Sequence, residues 1–359
     1  MKILLLLKKL LISLCAATFF CAITVSAEDE KPDGFRLLWA GGINLNIDKA
    51  MQRISDSGFN AAAVSGANLN TVIPYGQKHN IGIYYWFHII PPEDMKQFAQ
   101  QMSPEENEIL KNLKADKSAD KNGYQFGGEP LPDHREVLET PLLCFHRPET
   151  VEFCKKHIEA VFEKFPDITG IALDYIGYQN YRCCHCQQST ALFEEYYKKM
   201  QSKMSREAAL EQFSLETLVH FSNELTAYIR KLKPEAKVAT HVYPVFIPDQ
   251  LYGNRLDVDY CCQTVAWFFK PYWSSEKIEK HVRYVVENEK KYFPNSRGIP
   301  FIGLYQNPQG HFKSDEEFFK ELEIMKRTSP SRHDLSICTF APFARNPELG
   351  KKLVQEIAK

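Results

Sequence analysis

Short apolar runs alternate with amphipathic stretches along nearly the whole chain, the first with strand-like composition and the second with apolar residues at helical period. This order predicts parallel strands covered by helices. The first unit pairs a strand from Phe35 to Gly41 with a helix from Ile47 to Ser57, which Gly58 closes as a left-handed cap. Asn60 to Ser65 and Thr71 to His79 form the second. The third strand, Ile81 to Ile90, runs into a polar insertion over 91–145 before the helix Glu149 to Lys164. The fourth, Ile168 to Ile176, leads through a cysteine-rich segment into helical sequence from Thr190 to Lys231, broken near Met204. The fifth, Lys237 to Val245, returns by a short irregular connection over Pro248 to Asp257. Strands Val258 to Phe268, Ile299 to Tyr305 and Leu335 to Pro342 follow, with helices Ser275 to Tyr292, Asp315 to Lys326 and Pro347 to Ala358. Eight strands in strict alternation predict an α/β fold, a (β/α)8 TIM barrel with a long insertion after strand three. An open doubly wound sheet is the rival, but Gly41-Gly42 lacks the spacing of a dinucleotide-binding turn.

The N-terminal pattern changes the picture of where the protein works. Lys8 and Lys9 precede an apolar run from Leu10 to Ile23, then Val25-Ser26-Ala27, the pattern of a secretory signal cleaved after Ala27. A membrane anchor is the alternative, but the run is short for a span. Removing 27 of 359 residues leaves 332, a single barrel domain over 28–359, exported to the periplasm or secreted, with no membrane partner after cleavage. A net charge of -1, with 44 basic and 45 acidic residues interspersed, provides no broad field for nucleic acid. Aromatic residues make up 13% of the chain, which suits a heavy core or a cleft that stacks on sugars.

In such a barrel the strands' C-terminal ends and the loops after them build the site. The polar and aromatic groups placed there are His88 on strand three; Asp174, Tyr175 and Tyr178 on strand four; and His241 and Tyr243 on strand five. Gln263 and Trp267 lie on strand six, Tyr305, Gln306 and Asn307 on strand seven, and Thr339, Phe340 and Arg345 at strand eight. Asp174 stands out because it ends an apolar strand, where a carboxylate is desolvated unless partnered. Trp39, Trp86, Tyr175, Tyr243, Trp267 and Tyr305 are candidate stacking platforms, with Trp267 and Tyr243 preferred. Strand alternation sends several of the others into the core. His88 and His241 are candidate hydroxyl-binding groups or structural histidines.

The segment Gly170-Ile171-Ala172-Leu173-Asp174-Tyr175-Ile176-Gly177-Tyr178 resembles the fourth strand of uncharacterised glycoside-hydrolase-like (β/α)8 barrels. Those read as an apolar strand, Asp-Tyr-Ile or Asp-Tyr-Val, then Arg-Tyr or Arg-Phe, often followed by a cysteine cluster. Gly177 stands where they carry Arg. The segment also faintly resembles the chitinase-like family 18 motif, but Ile176 replaces its catalytic Glu, so that chemistry is not carried over. The resemblance implies a carbohydrate substrate or ligand and carboxylate acid/base chemistry, with no required cofactor. Glycoside hydrolysis of the standard kind needs two carboxyl groups. Asp174 supplies one, and the acids of the insertion, Glu93, Asp94, Glu129, Asp133 and Glu136, are the reservoir for the other. Glu129 is preferred because Gly127-Gly128 lets backbone approach a ligand there. Two other readings remain open: a carbohydrate-binding barrel without hydrolysis, and a metal-dependent hydrolase built on His88, Asp174 and His241.

Arg182-Cys183-Cys184-His185-Cys186 contains a Cys-x-x-Cys between Cys183 and Cys186. A disulfide, a structural Zn site and a redox pair all fit that spacing in an exported protein, with the disulfide preferred.

Overall fold

The computed structural model describes residues 34–359 apart from 44–45, 67, 116–136, 244–248, 250–251, 267–272, 305–312 and 330–332, and the side chains of 113–115. The signal sequence read over 1–27 therefore lies outside the described residues. Eight parallel strands close a barrel in chain order: β1 Arg36–Gly41, β2 Ala61–Val64, β3 Gly82–His88, β4 Gly170–Asp174, β5 Lys237–Val242, β6 Tyr260–Ala266, β7 Arg297–Gly303 and β8 Leu335–Cys338. β8 pairs back onto β1, so among the described strands none is left as an edge.

The helices are α1 Ile47–Asp56, α2 Leu69–Lys78, α3 Pro104–Ala115, α4 Pro148–Lys164, α5 Gln187–Met200, α6 Arg206–Leu232, α7 Ser275–Asn288, α8 Asp315–Thr328, α9 Ala341–Arg345 and α10 Pro347–Ala358. Their starts follow from side chains that satisfy free N–H groups of the first turn. Asn46, Ser205, Ser274 and Ser314 each accept from the amide three residues on. Gly58 takes φ +84° after α1, the left-handed conformation that its sequence position predicted. The break expected near Met204 separates α5 from α6, and between β5 and β6 the described residues hold a single 3-10 turn, Tyr252–Arg255.

Alternation along the strands divides the barrel into an interior and an outer layer. Phe35, Tyr84 and Tyr260 fill the lower interior, with Phe35 and Tyr260 stacked at 3.6 Å between ring centroids. Above them Trp39 meets Trp86 at 5.2 Å and Phe301 at 6.4 Å, and Phe301 stacks on His241 at 4.2 Å. Odd positions of β3 face outward instead: Tyr85 and Phe87 pack on His157 of α4. Gly170 begins the strand that ends at Asp174, and a Cβ there would meet the Lys237 carbonyl oxygen at 1.8 Å. Only a residue without a side chain allows β5 to pair with β4 in this register.

Several predicted strands are shorter than expected; β4 runs only from Gly170 to Asp174, ending where Tyr175 takes φ +64°. β3 stops at His88, ahead of Pro91 and Pro92, which have no N–H for a sheet ladder. β8 stops at Cys338, and Ala341–Arg345 is helical, with Pro342 in the first turn where a missing N–H costs nothing. Phe340 and Arg345 therefore belong to a loop and a helix instead of a strand end.

The insertion leaves β3 through a 3-10 helix, Glu93–Phe98, and α3, and its return segment comes back beside its start. Ala99 and Leu143 form an antiparallel bridge. Two buried glutamines tie it to the loop after β4. Gln100 donates to the carbonyls of Leu143 at 3.1 Å and Gly177 at 2.9 Å and accepts from the Gln179 amide at 2.8 Å. Gln179 donates to the Leu138 carbonyl at 3.0 Å, and the Leu138 amide donates to the Gln179 carbonyl at 2.7 Å. Among the described residues no helix is long and apolar enough to cross a membrane.

Candidate active site

Asp174 is the last residue of β4 and is 3% exposed, at the mouth of the barrel. The carboxylate is held on three sides. Its Oδ1 accepts from the Tyr175 amide at 2.7 Å and faces His241 Nδ1 at 3.3 Å, and its Oδ2 accepts from the Trp86 indole at 3.0 Å. Burial presses its pKa upward, but the hydrogen bond and charge of His241, the charge of His88 and the Tyr175 amide together outweigh it. The net pKa lies below the ordinary Asp value. Asp174 is therefore an ionised acceptor, and the proton in its bond with His241 sits on Nδ1. The other ring nitrogen, Nε2, meets Thr264 Oγ1 at 3.0 Å.

Tyr175 has φ +64°, a left-handed conformation that costs a bulky residue roughly 1–2 kcal/mol. Its own amide bonds to Asp174, and its ring lies 5.8 Å from His88 and 6.2 Å from Tyr243. Strain of this kind beside a buried carboxylate is a pointer to function. His88 caps β3, 4.7 Å from the Trp86 ring; burial lowers its pKa, opposed by the Asp174 charge. Tyr243 packs on His241 at 4.5 Å. Beside these rings lies a small cleft walled by five tyrosines, Tyr175, Tyr178, Tyr181, Tyr243 and Tyr252, together with Leu138, Leu142 and Gly177. A Cβ on Gly177 would meet nothing within 4 Å, so the position at which the similar barrels carry Arg is open space here.

The fold is shared with glycoside hydrolases. The glycoside hydrolase domain of PgaB (BpsB) from Bordetella bronchiseptica superposes with a TM-score of 0.56 at 9% identity, covering 90% of this chain and 99% of that domain. The β-galactosidase from Rahnella sp. R3 gives 0.54 at 10% identity over 89% of this chain and 55% of that one. The β-galactosidase from Halorubrum lacusprofundi gives 0.54 at 12% identity, over 84% and 52%. The chain thus spans a little over half the length of these galactosidases. At such identities the likeness is one of fold. No protein-family model matches the sequence, and no curated protein matches it either.

Five of the residues singled out from sequence come together: Asp174, His88, Tyr175, His241 and Tyr243. Glu129, Trp267, Tyr305 and Gln306 lie outside the described residues, as do Asp133, Glu136 and Asn307. Glu93 is exposed and paired with Lys96 at 2.5 Å. Two residues placed at the mouth by position have their polar atoms engaged elsewhere. Tyr178 is buried and lines the cleft, but its hydroxyl donates to the Ser214 carbonyl of α6 at 3.0 Å. Gln263 faces the helical layer, 2.5 Å from where a Gly253 Cβ would stand, because its neighbour Thr264 turns inward to His241. Trp86, read as a stacking platform, instead donates to Asp174. Trp39 is buried below it and donates to Ser336 Oγ at 2.8 Å.

Position alone did not point to Thr264 or Glu139. Glu139 follows Leu138 in the return segment that lines the cleft, and its sequence signal was hidden by the distance of 35 residues from Asp174. Among the described residues no Asp or Glu other than Asp174 ends a strand at the mouth. Nor do His88, Asp174 and His241 draw their donor atoms into a metal-sized group. The set that does so among the described residues is Cys144, Cys184 and Cys186, within 4.8 Å of one another.

None of the eight described cysteines is joined to another in this structure, Cys183 and Cys186 included. The loop turns Cys183 away, its Sγ 3.5 Å from His185 Nε2, while Cys186 meets Cys144 of the insertion at 3.6 Å. A hydrogen bond with Cys144 lowers the Cys184 pKa to about 5, and the same bond, with burial, raises that of Cys144.

Proposed function

We propose that the protein is an exported glycoside hydrolase acting on a glycan, with Asp174 as its ionised catalytic carboxylate. The observation that carries this is the Asp174 setting: a buried carboxylate kept charged by Trp86, Tyr175 and His241, at the end of β4, beside a tyrosine-lined cleft. A carboxylate held below its ordinary pKa is a poor proton donor at neutral pH. It suits the other half of glycoside chemistry, as nucleophile, as general base toward water, or as the charge that stabilises an oxocarbenium-like transition state. The proton donor then comes from the insertion, where Glu129 is the choice from sequence and Glu139 the acid that follows the cleft residue Leu138 in the chain. Tyr175 and Tyr243 present rings of the kind that stack on sugar faces. Export rests on the N-terminal pattern of charge, apolar run and Ala27, and the fold shared with glycoside hydrolases supports the substrate class.

The test is a panel of oligosaccharides read for released reducing ends, with wild type, Asp174→Asn, Glu129→Gln and Glu139→Gln all confirmed folded. Asp174→Asn is expected to lower turnover by at least about a thousandfold, roughly 4 kcal/mol of transition-state stabilisation. One of the two Glu variants is expected to follow it. A second reading, a carbohydrate-binding barrel without hydrolysis, is favoured by the lack of a second carboxylate at a strand end among the described residues. Glycan binding unchanged in Asp174→Asn, with no turnover in wild type, would establish that reading instead.

A further inference from the structure

Cys144, Cys184 and Cys186 reach one point from two separate loops. Cys144 ends the return of the insertion, its amide bonded to the Phe98 carbonyl at 2.9 Å, and Cys184 and Cys186 lie in the loop after β4. All three are buried. The 3.6 Å between the Cys144 and Cys186 sulfurs is far outside the roughly 2.05 Å of a disulfide. It is close to the roughly 3.8 Å that separates two thiolates sharing one tetrahedral zinc at about 2.3 Å each.

The surroundings of the sulfurs suit thiolates. Cys184 Sγ accepts from the amides of Gln101 at 3.4 Å and Cys186 at 3.5 Å. Cys186 is the N-cap of α5, its sulfur accepting from the Ser189 amide at 3.4 Å, at the end of the helix where its dipole favours negative charge. Ser189 Oγ stands 3.3 and 3.2 Å from the Cys144 and Cys186 sulfurs and 2.8 Å from His146 Nδ1, so a hydroxyl and an imidazole flank the same point. Outer groups of this kind orient ligands and tune metal sites.

We propose that Cys144, Cys184 and Cys186 form a structural site for a soft divalent cation of the zinc class, which pins the insertion to the loop after β4. Cys183 is not a ligand, although the Cys-x-x-Cys spacing in the sequence names it. Ligation releases three thiol protons and takes up one dication, leaving one net negative charge that the amides of Gln101, Cys186 and Ser189 offset. The site joins the two segments that border the Asp174 cleft, so its loss loosens the cleft without touching a reacting group. It does not depend on the substrate or on any hydrolytic activity.

The experiment uses the whole mature chain, purified with reductant, stripped with chelator and reloaded with zinc or cobalt(II). Elemental analysis is expected to give one metal per chain, and cobalt a near-ultraviolet thiolate-to-metal band with the intensity of three sulfur ligands. Cys183→Ser and Cys338→Ser are expected to keep that band, and Cys144→Ser, Cys184→Ser and Cys186→Ser each to weaken affinity by more than about tenfold. Stripping is expected to lower the thermal midpoint of wild type and Cys183→Ser alike. Because the cobalt spectrum is read on wild type, it decides even if a serine variant fails to fold. Metal well below one per chain after reloading, a band that disappears with Cys183→Ser, or a Cys144–Cys186 disulfide found by mass mapping of the reduced and reloaded protein would overturn the site.

Discussion

Asp174 shows how little of a catalytic residue is in the residue itself. Its carboxylate would be driven neutral by burial alone; three donors from β3, β5 and its own backbone keep it charged. Trp86 is the donor whose contribution can be separated from the rest. Trp86→Phe keeps an aromatic ring against Trp39 and His88 but removes the hydrogen bond to Oδ2, an interaction with a charged group worth about 1.5–3 kcal/mol. The depressed pKa of Asp174 then rises. If Asp174 acts as the charged carboxylate, the acid limb of the kcat/KM profile moves to higher pH in this variant, while turnover on the alkaline side falls by about tenfold or less. A limb that stays in place would assign the acid limb to another group. From sequence Trp86 reads only as a candidate stacking platform, and nothing in its neighbours tells that its partner is an acid 88 positions away. That pairing depends on the barrel register, His88 opposite Asp174, which only the closed sheet sets.

At the level of elements, period and punctuation carried the fold. The strands and helices lie where apolar alternation and Gly58, Asn46 and the serine caps place them; several strand ends were read too long, after His88 and around Pro342 because proline changes the rule, and after Asp174 because Tyr175 turns left-handed. The insertion was legible as a length of polar sequence and not as a structure, because its order comes from outside itself. Gln100 is the clearest case. Its amide satisfies two carbonyls, of Leu143 and Gly177, and accepts from the Gln179 amide, so one side chain couples the insertion to the loop after β4. Gln100→Met keeps the volume and leaves those groups without their partner, at about 1–3 kcal/mol for each buried group left unsatisfied. Chemical denaturation is expected to show a loss of roughly 3 kcal/mol. Gln100→Glu, which sets a buried carboxylate against those two carbonyl oxygens, should lose at least as much. Equal stability of wild type and Gln100→Met would mean that the insertion is held by its metal-sized thiol group and its apolar contacts alone.

For the whole molecule, the barrel's interior and its helical layer answer differently to acid. Inside the mouth, Asp174 is held charged; in the outer layer, His281 on α7 is held uncharged. His281 is 5% exposed and packs 4.9 Å from the Trp273 ring, with Nδ1 donating to the Lys277 carbonyl at 3.1 Å. Burial lowers its pKa to about 4; the hydrogen bond to the Lys277 carbonyl opposes this, and the charges of Lys277 and Lys280 add to the lowering. Below its unfolded value near 6.5 the unfolded chain binds a proton that the folded chain refuses. Stability from this group is therefore complete above about pH 6.5 and is lost as pH falls toward 4, by roughly 2 kcal/mol between pH 7 and pH 5. His281→Phe fills the space with a ring that cannot titrate. Urea unfolding of the two proteins at both pH values should show wild type losing that increment relative to the variant, with the gap closing at pH 7. If both lose stability in parallel, His281 takes up its proton in the folded state, the packing of α7 against Trp273 is looser than its burial indicates, and the acid sensitivity of the barrel lies with its carboxylates.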